Sequence, residues 1–237
     1  MAVDDAYTKS LLHFNGADAS TTFTDESGKT WNRSGDAQID TAQYKFGDSS
    51  GLFDGSDYIS TSNHADWQLD GGDNANAWTI DFWVRFNGDP GSNTVIFCGQ
   101  LFDKDNQWRL RLLSGTSLNF SVRSSGTAIV AIDKAWNPAG DTWYHIAIIK
   151  DGINGYMMFI NGTQIGSTET DTSTIPSLGG LLFIGYGQID DGTPKYIDGW
   201  VDEFRLSKGV ARWTSNFTAP TSPYGFYGKQ FQVKFIG

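Results

Sequence analysis

Tyr196-Ile197-Asp198-Gly199-Trp200-Val201-Asp202-Glu203-Phe204-Arg205-Leu206-Ser207 is the stretch that decides the fold. Read with a two-residue period, Trp200, Phe204 and Leu206 share one face, and Asp202 falls among them. Such alternation marks a strand with one side turned to a core. A carboxylate on that side is costly unless a cation neutralises it or donors bond to it. The segment therefore predicts a sheet-built core. It also predicts either an ion site at the margin of that core or a plainly backbone-bonded Asp202.

Strand signals extend outward from this stretch. Residues 78–86 alternate, with Trp78, Ile80, Phe82, Val84 and Phe86 on one face. Residues 143–150 form a second strand, punctuated by Asp151-Gly152 and Asn154-Gly155, and residues 156–160 return from it. Asn161-Gly162 then signals a two-residue hairpin. Further strands are expected at 11–14, 51–53, 58–61, 94–99, 108–113, 118–123, 181–186 and 199–206. Only residues 208–213 suggest a helical turn, which Pro220 does not allow to continue. Long antiparallel strands with Gly and Asn turns, and at most one or two short helical turns, indicate an all-β, two-sheet antiparallel sandwich of the jelly-roll kind.

Composition narrows the function classes. The chain has 237 residues, 17 Lys and Arg against 27 Asp and Glu, and a formal net charge of -10. Such acidity repels nucleic-acid phosphates and anionic lipid. It fits solubility, and it also fits calcium binding. The lone Cys98 excludes an internal disulfide framework and a thiolate zinc cage. The N-terminus has no apolar signal core, and no apolar run approaches the ~18 residues of a spanning helix. Synthesis in a host cytoplasm without a leader is the expectation. One unit over residues 1–224 is expected, with a tail at 225–237. In that tail Phe231, Val233 and Phe235 alternate with polar residues. This strand either docks on its own sheet or adds to a neighbouring subunit's edge, giving a homo-oligomer.

Several motifs, in order, resemble one family. Leu11-Leu12-His13-Phe14-Asn15-Gly16 and Phe23-Thr24-Asp25-Glu26-Ser27-Gly28 are similar to the opening of laminin-G-like domains of the concanavalin A-like lectin/glucanase superfamily. Lys45-Phe46-Gly47, residues 51–59 and 78–86, Trp143-Tyr144-His145, residues 159–162 and 201–207 continue the likeness. Residues 209–214 and 217–220 resemble the version common in bacteriophage virion and tail proteins. The resemblance covers residues 8–224. It implies a concanavalin A-like jelly roll, binding more often than catalysis, and a structural calcium ion near the early strands and the final one. Carried onto this chain, Asp202 is the metal-ligand candidate and Asn15 the second, although an Asp is frequent at that place.

The residues themselves offer other sites. The glucanase relatives use closely spaced carboxylates. Here the only glutamates are Glu26, Glu169 and Glu203, with no Glu-x-Asp-x-x-Glu run. No Gly-x-Ser-x-Gly elbow occurs, and an enzyme is not expected. Two loops combine oxygen donors with aromatic rings, as sugar recognition requires. The first carries Asp103, Asp105, Asn106 and Trp108; the second carries Asp190, Asp191 and Tyr196. Asp103 with Asp105, or Asp190 with Asp191, could also hold a second calcium. The same residue types equally build solvated turns. Trp136 is a weaker exposed aromatic candidate, and Glu203 with Arg205 is expected as a modest surface pair.

The sequence thus leads to a non-enzymatic virion surface protein, a decoration, fibre or tail-tip component. Its partners would be other virion proteins, a host-surface glycan, or both, with no nucleic acid and no membrane insertion. A stand-alone carbohydrate-binding module is the alternative, and a divergent glycoside hydrolase ranks third.

Overall fold

The computed structural model describes residues 6–225. Its strands are β1 (Thr8–Leu12), β2 (Trp31–Ser34), β3 (Gln38–Asp40), β4 (Ser50–Asp54), β5 (Tyr58–Thr61), β6 (Trp78–Phe86), β7 (Val95–Asp103), β8 (Asn106–Leu113) and β9 (Ser117–Ser124). They continue as β10 (Thr127–Ala135), β11 (Trp143–Lys150), β12 (Tyr156–Ile160), β13 (Thr163–Gln164), β14 (Leu181–Ile184), β15 (Tyr186–Gln188), β16 (Pro194–Tyr196) and β17 (Asp198–Lys208). The eight-stranded sheet runs β13-β12-β11-β6-β17-β4-β3, with β1 also paired to β17. The seven-stranded sheet runs β10-β9-β8-β7-β14-β5-β2, and β15 with β16 forms a separate hairpin. All pairings are antiparallel.

Inward parity builds the core between the sheets. Trp78, Ile80, Phe82, Val84 and Phe86 of β6 are all buried, as are Trp108, Leu110 and Leu112 of β8 and Leu118, Phe120 and Val122 of β9. Trp78 meets Phe120 at 5.3 Å between ring centroids, and Phe82 meets Phe97 at 5.6 Å. Each such side chain contributes about 1.5–3 kcal/mol by leaving water. Cys98 packs among them, and burial pushes its thiol far up. Short 3-10 turns at Ala65–Trp67 and Gly152–Asn154 are the helical elements among the described residues. Residues 208–213, expected as a helical turn, are not helical: Lys208 ends β17 and residues 209–213 are irregular. No described helix is long and apolar enough to cross a membrane.

The strand that opened the reading departs from simple alternation. Asp202 pairs with Trp83 of β6, but Arg205 pairs with Asp81, so three steps on β17 face two on β6. Glu203 sits in this bulge with φ 52°. The bulge resets the phase. Phe204 and Leu206 enter the core, whereas Asp202 and Trp200 lie on the opposite face. Asp202 is thus not among the core residues, as continuous alternation predicted. The expected surface pair of Glu203 and Arg205 is also corrected, because both are buried. Arg205 forks onto Asp81, while Glu203 bonds His13 Nδ1 at 2.8 Å and accepts the Tyr224 N–H at 2.7 Å.

The outer face of the eight-stranded sheet is largely covered. Trp213 and Phe217, stacked at 4.0 Å, belong to a strap that seals Ala147, Ile149, Met157 and Phe159. Lys45 and Phe46 lie over Trp83. The outer face of the seven-stranded sheet is only partly covered, by the β15–β16 hairpin. Gly187 lets that hairpin lie flush, since a Cβ there would stand 2.8 Å from Ile96 Cδ1.

Candidate functional site

Beside that hairpin the outer face holds a trough of about 490 Å³. On β14, Leu181 and Phe183 project outward, opposite Leu101 and Gly99 of β7. Tyr58 of β5 and Tyr186 of β15 close the floor, stacked at 4.8 Å and 28°. Phe183 meets Tyr58 at 5.4 Å and Tyr186 at 5.1 Å. At the rim Phe102 is 69% exposed and Leu181 41%. Asn63 supplies a polar edge, and its Oδ1 accepts from Gln100 Nε2 at 3.3 Å. Such a surface stacks on apolar C–H faces while leaving amide and hydroxyl groups for hydrogen bonds.

The two loops singled out in sequence flank this trough, but most of their side chains serve other ends. Asp103 Oδ1 accepts from Asp105 N (2.9 Å) and Asn106 Nδ2 (3.0 Å), and Asn106 Oδ1 accepts from Ser125 N (2.9 Å). Asp105 pairs with Lys104 at 2.7 Å. This is a self-bonded turn. Trp108 is a correction: it is fully buried, its indole N–H donates to Trp67 O at 3.1 Å, and no sugar can reach it. It holds the inward parity of β8, which proximity to a polar loop does not alter.

In the second loop Asp190 pairs with Arg109 and lies 3.5 Å from Arg123 Nη1, while Asp191 Oδ1 accepts the Thr193 N–H at 2.8 Å. Tyr196 packs on Tyr186 at 5.3 Å, but it lines a separate pocket with Asn87, Pro90 and Asp198 rather than the trough. Trp136 packs against Phe86 and Tyr144. Sequence reasoning missed Tyr58, Phe102, Phe183 and Tyr186 as a group. They come from four separate segments, and only the outward parity of residues 181 and 183 hinted at them. Phe231, Val233 and Phe235 lie outside the described residues.

Asp202 and Asn15 meet a common loop on the other sheet. Asp202 Oδ2 accepts the N–H groups of Lys45 (2.9 Å) and Phe46 (3.0 Å). Its Oδ1 is buried with no partner. Burial pushes the carboxyl up to about 7, helped by the charge of Glu203 and opposed by those N–H groups. Asn15 Oδ1 lies 2.9 Å from where a Cβ on Gly47 would stand. An orphaned carboxylate oxygen beside a loop that also meets an amide oxygen fits a hard cation in donor chemistry. No group of three His, Cys, Asp or Glu residues suited to a metal exists among the described residues.

Comparisons place this geometry among known proteins. Domain 4 of AbnA, an extracellular GH43 arabinanase of Geobacillus stearothermophilus solved with arabinotriose, superposes with TM-score 0.62 at 15% identity. That match covers 88% of this chain and 95% of the other. A botulinum neurotoxin type C structure, described as depending on two ganglioside molecules for cell entry, gives TM-score 0.58 at 14% identity, covering 85% and 47%. The binding domain of botulinum neurotoxin DC with rat synaptotagmin II gives 0.58 at 15%, covering 85% and 48%. The chain thus spans about half the length of those neurotoxin structures. No curated protein matches the chain in sequence. At these identities the likeness shows the shared fold. A family model, described as the concanavalin A-like lectin/glucanases superfamily, matches residues 53–214. The chain therefore belongs to the laminin G 3 family of the concanavalin A-like lectin/glucanases superfamily.

Proposed function

We propose that this protein binds glycans without transforming them, in the aromatic trough of the seven-stranded sheet. One observation carries the reading: Tyr58, Phe183 and Tyr186 form an apolar floor with an exposed Phe102 at its rim and Asn63 at its edge. No Asp or Glu lines the trough, so it has no carboxylate pair for glycosidic cleavage. Neighbours solved with a sugar or described by ganglioside interaction support the same reading.

The setting we propose is the surface of a bacteriophage particle, on the resemblance of residues 209–214 and 217–220 to virion and tail proteins. A stand-alone carbohydrate-binding module is the second reading, favoured by the 95% coverage of the arabinanase domain. We also propose that a structural calcium ion is held by Asp202 and Asn15, where it would neutralise the buried carboxylate.

A glycan array probed with wild type and Tyr186→Ala tests the central reading. Stacking on an aromatic ring is worth about 0.5–1.5 kcal/mol, so Tyr186→Ala should weaken capture roughly three- to tenfold at a temperature where the variant is still fully folded. Equal capture by both proteins would remove the trough from the reading.

A further inference from the structure

The same sheet face carries a row of arginines that the trough does not use. On β8 Arg109 and Arg111 project outward, and on β9 Asn119, Ser121 and Arg123 stand beside them. Arg109 is saturated: Nε donates to Ser121 Oγ at 3.0 Å, and its terminal groups bond Gln188 O and Asp190 of the hairpin loop. Arg111 is not saturated. It is 8% exposed, and its Nε donates to Asn119 Oδ1 at 2.7 Å. Among the described residues it makes no ion pair, and its two terminal amino groups have no acceptor. Asp133 stands one residue removed, bonded to Asn119 Nδ2 at 2.9 Å. Asn119 is thereby fixed, and it fixes the plane of the Arg111 guanidinium.

A guanidinium so enclosed, next to a second one, is only partly compensated: the carboxylates of Asp190 and Asp133 act on it from nearby without bonding it. Burial first, and then the charge of Arg109, pull its pKa down to about 10. The whole chain, at a net charge of -10, repels anions. A pinned cationic fork within such a chain selects an anion by geometry rather than by bulk field. The hairpin stands between the two features: Tyr186 lines the trough, Gly187 packs on Ile96, the cross-strand partner of Arg111, and Gln188 and Asp190 bond Arg109.

We propose that Arg111 is the anion subsite of this face and that the preferred glycan carries a carboxylate. The two terminal amino groups of Arg111 take the two carboxylate oxygens side by side, and the trough holds neighbouring neutral rings. The inference rests on the glycan-binding reading and names the class of sugar that reading leaves open.

The test uses matched probes differing only in charge: oligogalacturonate with its methyl ester, and sialyllactose with lactose, titrated into the full chain at fixed ionic strength. Wild type should bind the charged member of at least one pair about tenfold more tightly. Arg111→Gln should bring the two members to parity, leave the neutral member unchanged, and keep the fold, since Gln retains a donor for Asn119 Oδ1. Arg111→Lys, which keeps charge but not the fork, should fall between them. Equal wild-type affinity within both pairs, absence of binding to every probe, or a preference that survives Arg111→Gln would overturn the inference. A fall in neutral-glycan capture by Tyr186→Ala would still stand in any of those cases, so the two readings fail separately.

Discussion

Removing the carboxylate of Asp81 tests how the strap over the eight-stranded sheet is held. Asp81 accepts from Arg205 Nε at 3.0 Å and Nη2 at 2.8 Å, and from the Tyr224 hydroxyl at 2.5 Å. His145 Nε2 lies 3.5 Å from the same carboxylate, and Asp81, Arg205 and His145 are fully buried. Burial alone would raise the carboxyl. The charge of Arg205 and the hydrogen bond from His145 overcome it and hold the group well below the usual carboxylate range. Asp81→Ala leaves the Arg205 guanidinium buried without this countercharge, which costs about 3–5 kcal/mol. Asp81→Leu with Arg205→Met removes both charges at similar volume and should lie closer to wild type than Asp81→Ala does.

Urea unfolding followed by tryptophan fluorescence at pH 7 compares wild type, Asp81→Ala, the singles Asp81→Leu and Arg205→Met, and their double variant. The sign with pH follows from the depressed carboxyl. Its contribution is complete above the unfolded-state pKa of about 4 and is lost as pH falls towards the folded value. The gap between wild type and Asp81→Ala should therefore narrow in acid. A loss under about 1 kcal/mol for Asp81→Ala, or a double variant as unstable as the sum of the singles, would refute the reasoning.

Three further outcomes are expected. Trp108→Ala should lose about 3–5 kcal/mol of stability while the folded fraction keeps its glycan affinity, measured by melting and array capture together. Asp57, raised by burial to about 6, holds its proton more tightly when folded, so wild-type stability should fall as pH rises from about 4 to 6. Asp57→Asn keeps an acceptor for the Asp54 N–H and should be more stable than wild type above pH 6 by up to about 3 kcal/mol, with no gain at pH 4. Calcium at about 100-fold over its dissociation constant should stabilise wild type by about 2.7 kcal/mol against chelator. Asp202→Asn should lose that response, and identical calcium responses would take Asp202 out of the site.

Much of the architecture was legible locally. Strands, turns and the inward rows of β6 and β11 follow from a two-residue period that each segment carries in itself. The all-β sandwich follows from the number and spacing of those segments. The phase of β17 does not. Whether its alternation runs through Glu203 or slips there depends on simultaneous pairing with β6 and β1, and neither register is written in residues 198–208. The slip keeps Phe204 and Leu206 in the core, as expected, but takes Asp202 to the other face, under Lys45 and Phe46. Tertiary pairing also decided which polar-looking loops could meet a ligand. Trp108 follows five polar residues in sequence, yet parity buries it. Tyr58, Phe102, Phe183 and Tyr186 form one surface only because β5, β7, β14 and β15 become neighbours. A binding face is a relation between strands distant in the chain, and a period read along one strand carries no information about it.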